Sequence, residues 1–549
     1  MSNRTLKLDA RDNVLIALQR LALGERVDSD GKSYVLASDI PAKHKFAIRN
    51  FAPGDPIFMY GVMVGKAVEP IQEGQLLSTR NVGHEASGFH EKSEDYRWTA
   101  PDISKWADKK FRGFHRSDGQ VGTRNYWLVI PLVFCENRNI GVLKQAFEEE
   151  LGFAPPQIYR RQVAELARLY KEGKSAEIGN AALSRDFAAP TRSKLFENVD
   201  GIRFLLHDGG CGGTREDSNN LCGLIAGYIH HPNVAGATIL SLGCQHAQIP
   251  ILHDEIRKRN PKFEKPLMIF EQQQTGSEDA MLAEAIRKTF LGLIEANENR
   301  RTDARLSSLC VGLKCGGSDG FSGLSANPAI GHTADLLATI GGRAILSEFP
   351  ELCGVEQELI NRCTRKDSAD RFIHLMRSYG ARAKAVGSGF EMNPSPGNIK
   401  DGLLTDAMKS AGAAKKGGAS PVTGVLDYPE YSSGAGLQLQ CTPGNDVECV
   451  TAQVGAGANL VLFTTGLGTP TGNPIAPVVK LSTNSELAAR MADSIDLDTG
   501  PIISGDSTIA RMGEEILDLV IRVASGEVKT RAEIKGQCDF IPWKRGVSL

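Results

Sequence analysis

The feature that most constrains the fold of this 549-residue chain is a regular alternation of strand-like and helix-like segments between residues 140 and 300. The strand-like runs are apolar and read GIRFLLHD, ATILSLG and KPLMIFEQ. The segments with helical periodicity are expected near 140–151, 160–173, 218–230, 251–258 and 277–296. Such alternation predicts a mostly parallel sheet with right-handed crossovers, so the fold class expected is α/β.

Polar residues follow three of these strands at the point where each strand ends. His207 to Thr214 follows the first, Cys244 to His246 the second and Glu271 to Thr275 the third. In open parallel sheets the ligand crevice lies beyond the carboxyl ends of the strands. The sequence therefore favours a polar site at this edge, with His207 and Cys211 among its candidates.

The stretch from Gly312 to Gly331 is the richest in glycine and small polar side chains. It follows an apolar run, 306–311, that is expected to be a strand. Dense glycine lets a backbone approach a ligand closely, although an irregular loop without chemistry is the alternative. We expect a small polar molecule here, bound by some of Lys314, Cys315, Ser318, Asp319, Ser322 and Asn327.

Turn chemistry and composition divide the chain into four parts. Residues 1–88 form a small β-rich domain, 89–110 a charged linker, 111–300 a second α/β domain, and 301–549 a carboxyl-terminal α/β domain. In the first part we expect one helix, VLIALQRLALG, capped by Asp12 and Asn13. His44 lies at a turn-to-strand junction of the same part.

Charge, hydropathy and cysteine usage exclude several classes of protein. Lys and Arg number 63 against 65 Asp and Glu, so no basic field predicts nucleic-acid binding. No apolar run approaches the ~20 residues of a membrane helix. The eleven cysteines form no CxxC pair, which is typical of a reduced, cytoplasmic protein.

Other polar residues at strand ends or in stiffened turns suit a polyhydroxylated anion. Arg124 and Asn125 precede the buried run WLVIPLVF, where an arginine could clamp a carboxylate or pair with a structural acid. Glu348 follows an apolar strand, whereas Glu351 and Glu358 are interpreted as solvent-facing. The remaining candidates for substrate binding are Asn393, Ser395, Asn398, Thr464, Thr465 and Lys480.

Removing a proton beside a carboxylate is difficult, and enzymes meet this with a divalent metal and a base. Oxygen ligands with a histidine fit Mg²⁺, Mn²⁺ or Fe²⁺. An iron–sulfur cluster needs three or four thiolates, and no cysteine spacing here shows the usual pattern, so a cluster is not expected.

A series of motifs resembles the altronate/galactarate dehydratase family along nearly the whole chain. The motifs are RSDGQVGTRNYWLVIP, HDGGCGG, LGCQ, GLKCGGSDGFSGLSANPAIG, SEFPELCGVE, NPSPGN, LFTTGLGTP and PVVKLSTNSELA. The amino-terminal segments PAKHKFAI and YGVMVGKAV resemble the SAF domain of that family. Three loops depart from the family pattern: CTPGNDV, the IKDG after NPSPGN, and LGTPTGNPIAP.

The resemblance implies dehydration of a sugar acid to a 2-keto-3-deoxy acid, with altronate as the first substrate and galactarate as the alternative. It implies Fe²⁺ or Mn²⁺ as cofactor, with Mg²⁺ next. Two alternative functions remain open, a sulfo-lyase on the same scaffold and a sugar-acid-binding regulator. A homodimer is compatible with the sequence. The catalytic candidates are His44, His207 and Lys314, and the metal candidates are Asp319, Glu348, Cys315 and Cys211.

Overall fold

The computed structural model describes residues 4–154, 157–183 and 193–546. Residues 1–3 and 547–549, at the outer limits of the first and last expected domains, lie outside the described residues. The expected fold class is confirmed, because a small β-rich module is followed by two parallel sheets flanked by helices. Within the described ranges, no helix combines the length and apolar character needed to cross a membrane.

The amino-terminal module consists of short antiparallel strands in three small sheets. Its strands are β1 (Thr5–Leu6), β2 (Val14–Ala17), β3 (Arg26–Ser29), β4 (Lys32–Val35), β5 (Lys45–Ala47), β6 (Pro56–Met59), β7 (Val62–Ala67) and β8 (Val82–Gly83).

The helix expected for VLIALQRLALG is wrong, since Val14–Ala17 is strand β2, paired with β1 and β5. Val14 and Ile16 pack into the main core, whereas Leu15 and Ala17 pack into a separate core of the module. Successive side chains that are buried on opposite faces are the property of a strand. Burial on both faces therefore overrode the helical spacing of the apolar residues.

The second domain contains a four-stranded parallel sheet in the order β12-β11-β13-β14. Its expected strands and helices are all present. They are β11 (Tyr126–Pro131), α1 (Asn137–Leu151), α2 (Ile158–Lys171), β12 (Gly201–Phe204), α3 (Arg215–His230), β13 (Val234–Ser241), α4 (Ile249–Arg259), β14 (Leu267–Glu271), α5 (Gln272–Thr275) and α6 (Glu278–Ala296). A small antiparallel sheet joins this domain to the next through β9 (Lys110–His115), β10 (Val121–Gly122) and β15 (Arg301–Arg305).

The carboxyl-terminal domain contains a seven-stranded parallel sheet in the order β18-β19-β17-β16-β20-β21-β22. The strands are β16 (Cys310–Cys315), β17 (Arg343–Leu346), β18 (Val422–Leu426), β19 (Gly436–Gln440), β20 (Leu460–Thr465), β21 (Val478–Ser482) and β22 (Leu497–Asp498). The helices are α7 (Ala326–Ile340), α8 (Glu356–Arg362), α9 (Lys366–Ala385), α10 (Pro396–Lys400), α11 (Asp406–Ala413), α12 (Asp446–Gly455), α13 (Ser485–Arg490), α14 (Pro501–Ser504), α15 (Ile509–Ala524) and α16 (Arg531–Lys535).

The start of the glycine-rich stretch is strand rather than loop. Residues 306–308 form a 3₁₀ turn, and β16 runs to Cys315 between β17 and β20. Val311 and Leu313 of this strand are buried in the main core. Hydrogen bonding on both sides and burial therefore hold Lys314 and Cys315 at the end of a central strand, and the loop begins at Gly316.

One apolar core extends from the carboxyl-terminal domain into the amino-terminal module. It includes Val14 and Ile57 of the module together with Leu313 and Leu346 of the large sheet. Because these side chains share a core, the module packs directly against the carboxyl-terminal domain.

Candidate active site

A buried polar cluster lies beyond the carboxyl ends of β16 and β17. Lys314 and Cys315 are the last residues of β16, and Glu348 follows β17, its parallel neighbour. All three side chains are buried. Glu348 has φ of 66°, a left-handed conformation that is uncommon outside glycine and is concentrated at functional sites.

Cys315, Glu348 and Glu351 can each offer a ligand atom, and these three atoms lie within 4.8 Å of one another. The Cys315 Sγ lies 3.3 Å from Glu351 Oε2 and 4.0 Å from Glu348 Oε2. The interpretation of Glu351 as solvent-facing is wrong, because the 3₁₀ turn Phe349–Leu352 directs it inward. Glu358, by contrast, is half exposed.

Three buried lysines surround this group. Lys416 Nζ lies 2.7 Å from Cys315 Sγ and 2.6 Å from Glu348 Oε2. Lys409 Nζ lies 2.9 Å from Glu351 Oε1. Lys314 Nζ bonds Glu348 and lies 3.0 Å from an Asp446 oxygen. Burying several ion pairs together costs free energy, because each charge loses its hydration. A cluster of buried ion pairs of this size therefore indicates a functional site.

Burial and neighbouring charges perturb the titration of the group. Burial, followed by the Glu348 charge, raises the pKa of the Cys315 thiol to about 12. Burial alone raises the pKa of Glu351, but the ammonium groups of Lys409 and Lys314 outweigh it and lower this pKa to about 2. Glu351 is therefore ionised and Cys315 is a thiol near neutral pH.

Asp406 adds a carboxyl group of the opposite kind. Burial, reinforced by the Glu351 charge, raises the pKa of Asp406 well above its usual range. Asn393 connects Asp406 with Lys409. Its Nδ2 donates to Asp406 and its Oδ1 accepts from Lys409, both at 3.1 Å. A buried acid whose pKa is raised in this way is suited to donate a proton.

The loop that begins at Gly316 places Asp319 outside the group of Cys315 and the two glutamates. Asp319 is fully buried and pairs with Lys43 of the amino-terminal module at 3.0 Å. It also accepts hydrogen bonds from Thr483 at 2.9 Å and Asn484 at 3.2 Å. The arrangement ties the module to the glycine-rich loop.

The turn that carries His44 docks against residues 400–402. His44 Nε2 lies 3.0 Å from the Lys400 carbonyl, and Lys45 Nζ donates to the Gly402 carbonyl at 2.7 Å. Burial lowers the pKa of His44, and it lowers the pKa of Lys45 to about 7. Both side chains can therefore be neutral near pH 7, and His44 keeps a lone pair on Nδ1 because Nε2 donates.

His207 and the predicted anion clamp are engaged within the second domain. His207 Nε2 donates to the Pro131 carbonyl at 2.7 Å, and its Nδ1 accepts from the Gly209 amide. Arg124 forms a two-pronged ion pair with Glu533, at 2.7 and 3.0 Å. Asn125 donates to two backbone carbonyls. Arg124 and Asn125 precede β11 and so lie at its amino end.

Most other candidates for substrate binding support the loops. Ser395 and Asn398 form a reciprocal cap at the start of α10, and Asn398 also donates to the Ser318 carbonyl at 2.8 Å. Thr464 donates to Asn327 at 2.6 Å. Thr465 Oγ1 accepts a hydrogen bond from the Gly468 amide, and Lys480 donates to the Gln537 side chain.

The buried hydroxyls without a hydrogen-bond partner within the described part of the chain include those of Ser318 and Ser410. Ser318 belongs to the glycine-rich loop and Ser410 follows Lys409 on α11. Buried hydroxyls are normally bonded, so these two are available to a ligand.

Sequence reasoning missed Lys409, Lys416 and Asp406. A signal was present, because the helix Asp406–Ala413 and the turn after it consist mainly of small residues interrupted by lysines. Charged side chains in a run of alanine, serine and glycine indicate a buried polar face. Cys211, a predicted metal ligand, instead lies in the loop that follows β12 in the second domain.

Comparison with protein families matches three consecutive parts of the chain. Residues 3–85 match the altronate/galactarate dehydratase SAF domain. Residues 113–297 match the second domain of D-galactarate dehydratase/altronate hydrolase, and residues 306–548 match the D-galactarate/altronate dehydratase carboxyl-terminal domain.

Individual relatives align along almost their full length. Altronate dehydratase of Escherichia coli is 31% identical over 99% of both chains. Altronate dehydratase of Bacillus subtilis is also 31% identical, over 99% of both chains. Galactarate dehydratase (L-threo-forming) of Escherichia coli is 28% identical over 96% of this chain and 93% of its own length.

Proposed function

We propose, since the chain belongs to the altronate/galactarate dehydratase family, that this hydro-lyase converts altronate to 2-dehydro-3-deoxy-gluconate and water. The observation that supports the reaction best is the buried cluster of three lysines around Cys315, Glu348 and Glu351. Loss of water from a sugar acid passes through a species with extra negative charge beside the carboxylate. Fixed positive charges in a site shielded from water stabilise such a species strongly.

The cluster fits a divalent cation. One sulfur and two carboxylate donors converge within 4.8 Å, which suits Fe²⁺ or Mn²⁺ and is less suited to Mg²⁺, an ion that prefers oxygen ligands. We infer that Cys315, Glu348 and Glu351 hold the metal. When bound, the ion supplies Lewis-acid stabilisation of charge on the substrate carboxylate.

Charge balance supports this assignment. While Cys315 is a thiol, the ammonium groups of the three lysines balance the carboxylates of Glu348, Glu351 and Asp446. A divalent cation that displaced the thiol proton would leave one net positive charge in the cluster. A single substrate carboxylate would neutralise that charge.

We assign acid/base roles to groups whose titration suits them. His44 is the candidate base, because burial keeps its imidazole neutral and its Nδ1 is an acceptor. Asp406, whose raised pKa favours the protonated form, is the candidate acid for loss of the 3-hydroxyl. His207 is a weaker candidate because the backbone engages both ring nitrogens. The hydroxyls of Ser318 and Ser410 are available to substrate hydroxyls.

Galactarate is the alternative substrate, since one relative acts on it by name. It carries a second carboxylate at its far end, which calls for a further Lys or Arg. The loop after β20, residues 466–474, contains neither residue. This favours altronate, whose far end is a hydroxymethyl group.

The test is a keto-acid assay on metal-stripped protein with Fe²⁺, Mn²⁺ or Mg²⁺ added back separately. Altronate, galactarate and a sulfonated hydroxy acid are supplied in parallel, and sulfite release is measured with the last. Turnover of altronate restored by Fe²⁺ or Mn²⁺ is the expected result. Turnover of galactarate alone would replace the substrate, and sulfite release alone would replace the reaction. Tight binding without turnover would indicate a regulator.

A further inference from the structure

Three neighbouring strands of the second domain each end in a loop that contains a cysteine. The strand order β12-β11-β13 places these loops side by side at one edge of the sheet. Cys211 follows β12, Cys135 follows β11 and Cys244 follows β13. They are far apart in sequence, so their spacing shows no metal-binding pattern, and only the parallel topology brings them to one edge.

Direct contacts hold the three loops together around Gly210. The Phe134 amide, next to Cys135, donates to the Gly209 carbonyl at 3.1 Å. The amides of His246 and Ala247, just after Cys244, both donate to the Gly210 carbonyl at 2.9 and 3.0 Å. Gly210 has φ of 100°, and a Cβ there would lie 2.1 Å from the Leu132 carbonyl. This close approach requires glycine.

The three thiols are accessible, unlike most cysteines of this chain. Cys135 and Cys244 are exposed and Cys211 is partly exposed, and all three are free. Six of the other eight cysteines are buried: Cys222, Cys310, Cys315, Cys363, Cys441 and Cys449. A cavity of about 430 Å³ lies beside Cys211. Its lining includes Phe134, the glycines around Cys211, Trp543 of the carboxyl-terminal segment, and the charged residues Asp208, Asp217 and Lys544.

The backbone of the loop around Cys211 offers amide donors to an anionic ligand. Cys211 lies in the loop Gly209–Gly213, where Gly210 and Gly212 both have left-handed backbone conformations. Glycine loops of this kind expose successive backbone amides, and such concavities bind phosphates and iron–sulfur clusters. The sixteen-residue helix α3 begins directly after the loop, and Glu216 and Asp217 in its first turn partly offset the positive end of its dipole.

We infer that Cys135, Cys211 and Cys244 together bind an iron–sulfur cluster of the [4Fe–4S] class. Three thiolates would hold three of the irons and leave the fourth open to an oxygen ligand. Assembly of the [4Fe–4S]²⁺ core takes up ferrous and ferric iron in equal number together with sulfide, and each thiol loses one proton to solvent. The site is separate from the group of Cys315 and the two glutamates.

The spacing of the thiols argues against a single metal ion. Sulfurs around one tetrahedral zinc lie about 3.8 Å apart, because each Zn–S bond is about 2.3 Å. Within the ranges that the structure describes, only Cys315, Glu348 and Glu351 converge within 4.8 Å. The thiols of Cys135, Cys211 and Cys244 therefore do not converge as the ligands of one ion do.

The experiment uses the full-length protein, purified without oxygen and then incubated with ferric and ferrous iron, sulfide and a thiol. Bound iron, acid-labile sulfide and the visible absorption that dithionite bleaches are measured after desalting. The expected result is about four irons and four sulfides per chain. Cys135→Ser, Cys211→Ser and Cys244→Ser should each lose most of the sulfide and the absorption.

Two matched controls separate the site from other thiols. Cys538→Ser changes an exposed cysteine elsewhere, and Cys315→Ala changes the other candidate centre, so both should retain the cluster. Far-UV circular dichroism confirms that each variant is folded. Metal without sulfide in the wild type, or equal sulfide in all variants, would overturn the inference. Sulfide content is measured without substrate, so failure here differs from failure of the dehydratase proposal.

Discussion

Lys416 provides the sharpest test of the charged cluster. Its side chain is 1% exposed, and its ammonium contacts both Cys315 and Glu348. Lys416→Met removes this charge with little change in volume. Among the described residues, Glu348 then keeps Lys314 as its one buried cationic partner.

The size of the effect follows from the cost of an unbalanced buried charge. Removing one partner of a buried ion pair destabilises a protein by about 3–5 kcal/mol. Because Lys314 still pairs with Glu348, we expect a loss of about 3 kcal/mol, at the lower end of this range. For a domain of this size, that loss lowers the melting midpoint by roughly 6 °C or more. We also expect kcat/KM to fall at least ~100-fold, equivalent to about 2.7 kcal/mol.

The pH at which this is measured matters. Burial alone lowers the pKa of Lys416, but Cys315 and Glu348 raise it above its ordinary value of 10.5. A group whose pKa is raised on folding contributes its full stability below the unfolded pKa and loses it as pH rises through the folded pKa. The full cost is therefore present at pH 7 and declines only in strongly alkaline solution.

The assay is thermal unfolding followed by fluorescence, with keto-acid production measured on the same samples. Lys415→Met is the matched control, because this neighbouring lysine is only partly buried. Lys416→Arg retains the charge and should recover part of the stability. If Lys416→Met melts within 1 °C of Lys415→Met and turns over normally, the charge argument is refuted.

Three further predictions concern single residues of the same region. Glu351→Gln should weaken binding of Fe²⁺ or Mn²⁺ at least ~10-fold by titration, as loss of a ligand does, whereas Glu358→Gln, at a half-exposed position, should not. Asp406→Asn should gain stability relative to the wild type as pH rises above 3.8, the ordinary pKa of Asp, because the raised pKa of Asp406 means that folding opposes its ionisation. A melting difference independent of pH would contradict this. His44→Asn should lower kcat severely with an unchanged melting midpoint, and near-normal turnover would remove His44 from the reaction.

Local patterns in the sequence were sufficient for the large α/β region. The alternation between 140 and 300 corresponds to the elements observed, because buried strands and amphipathic helices differ in length and period. The motif series likewise indicated the family. The one misread element of the module, Val14–Ala17, is a short apolar run whose two faces are both buried. Period alone does not separate such a run from a helix.

The composition of the sites was decided by the tertiary structure. Lys314 and Cys315 could be named from the sequence, but Lys409, Lys416 and Glu351 reach them only because α11, the turn after it and a 3₁₀ turn fold over the ends of β16 and β17. The same holds for Cys135, Cys211 and Cys244, which share one edge because their strands are parallel neighbours. The sequence by itself determined the elements and the family, since these depend on residues close along the chain. Convergence of charges and thiols depends on strand order and burial, which only the folded chain decides.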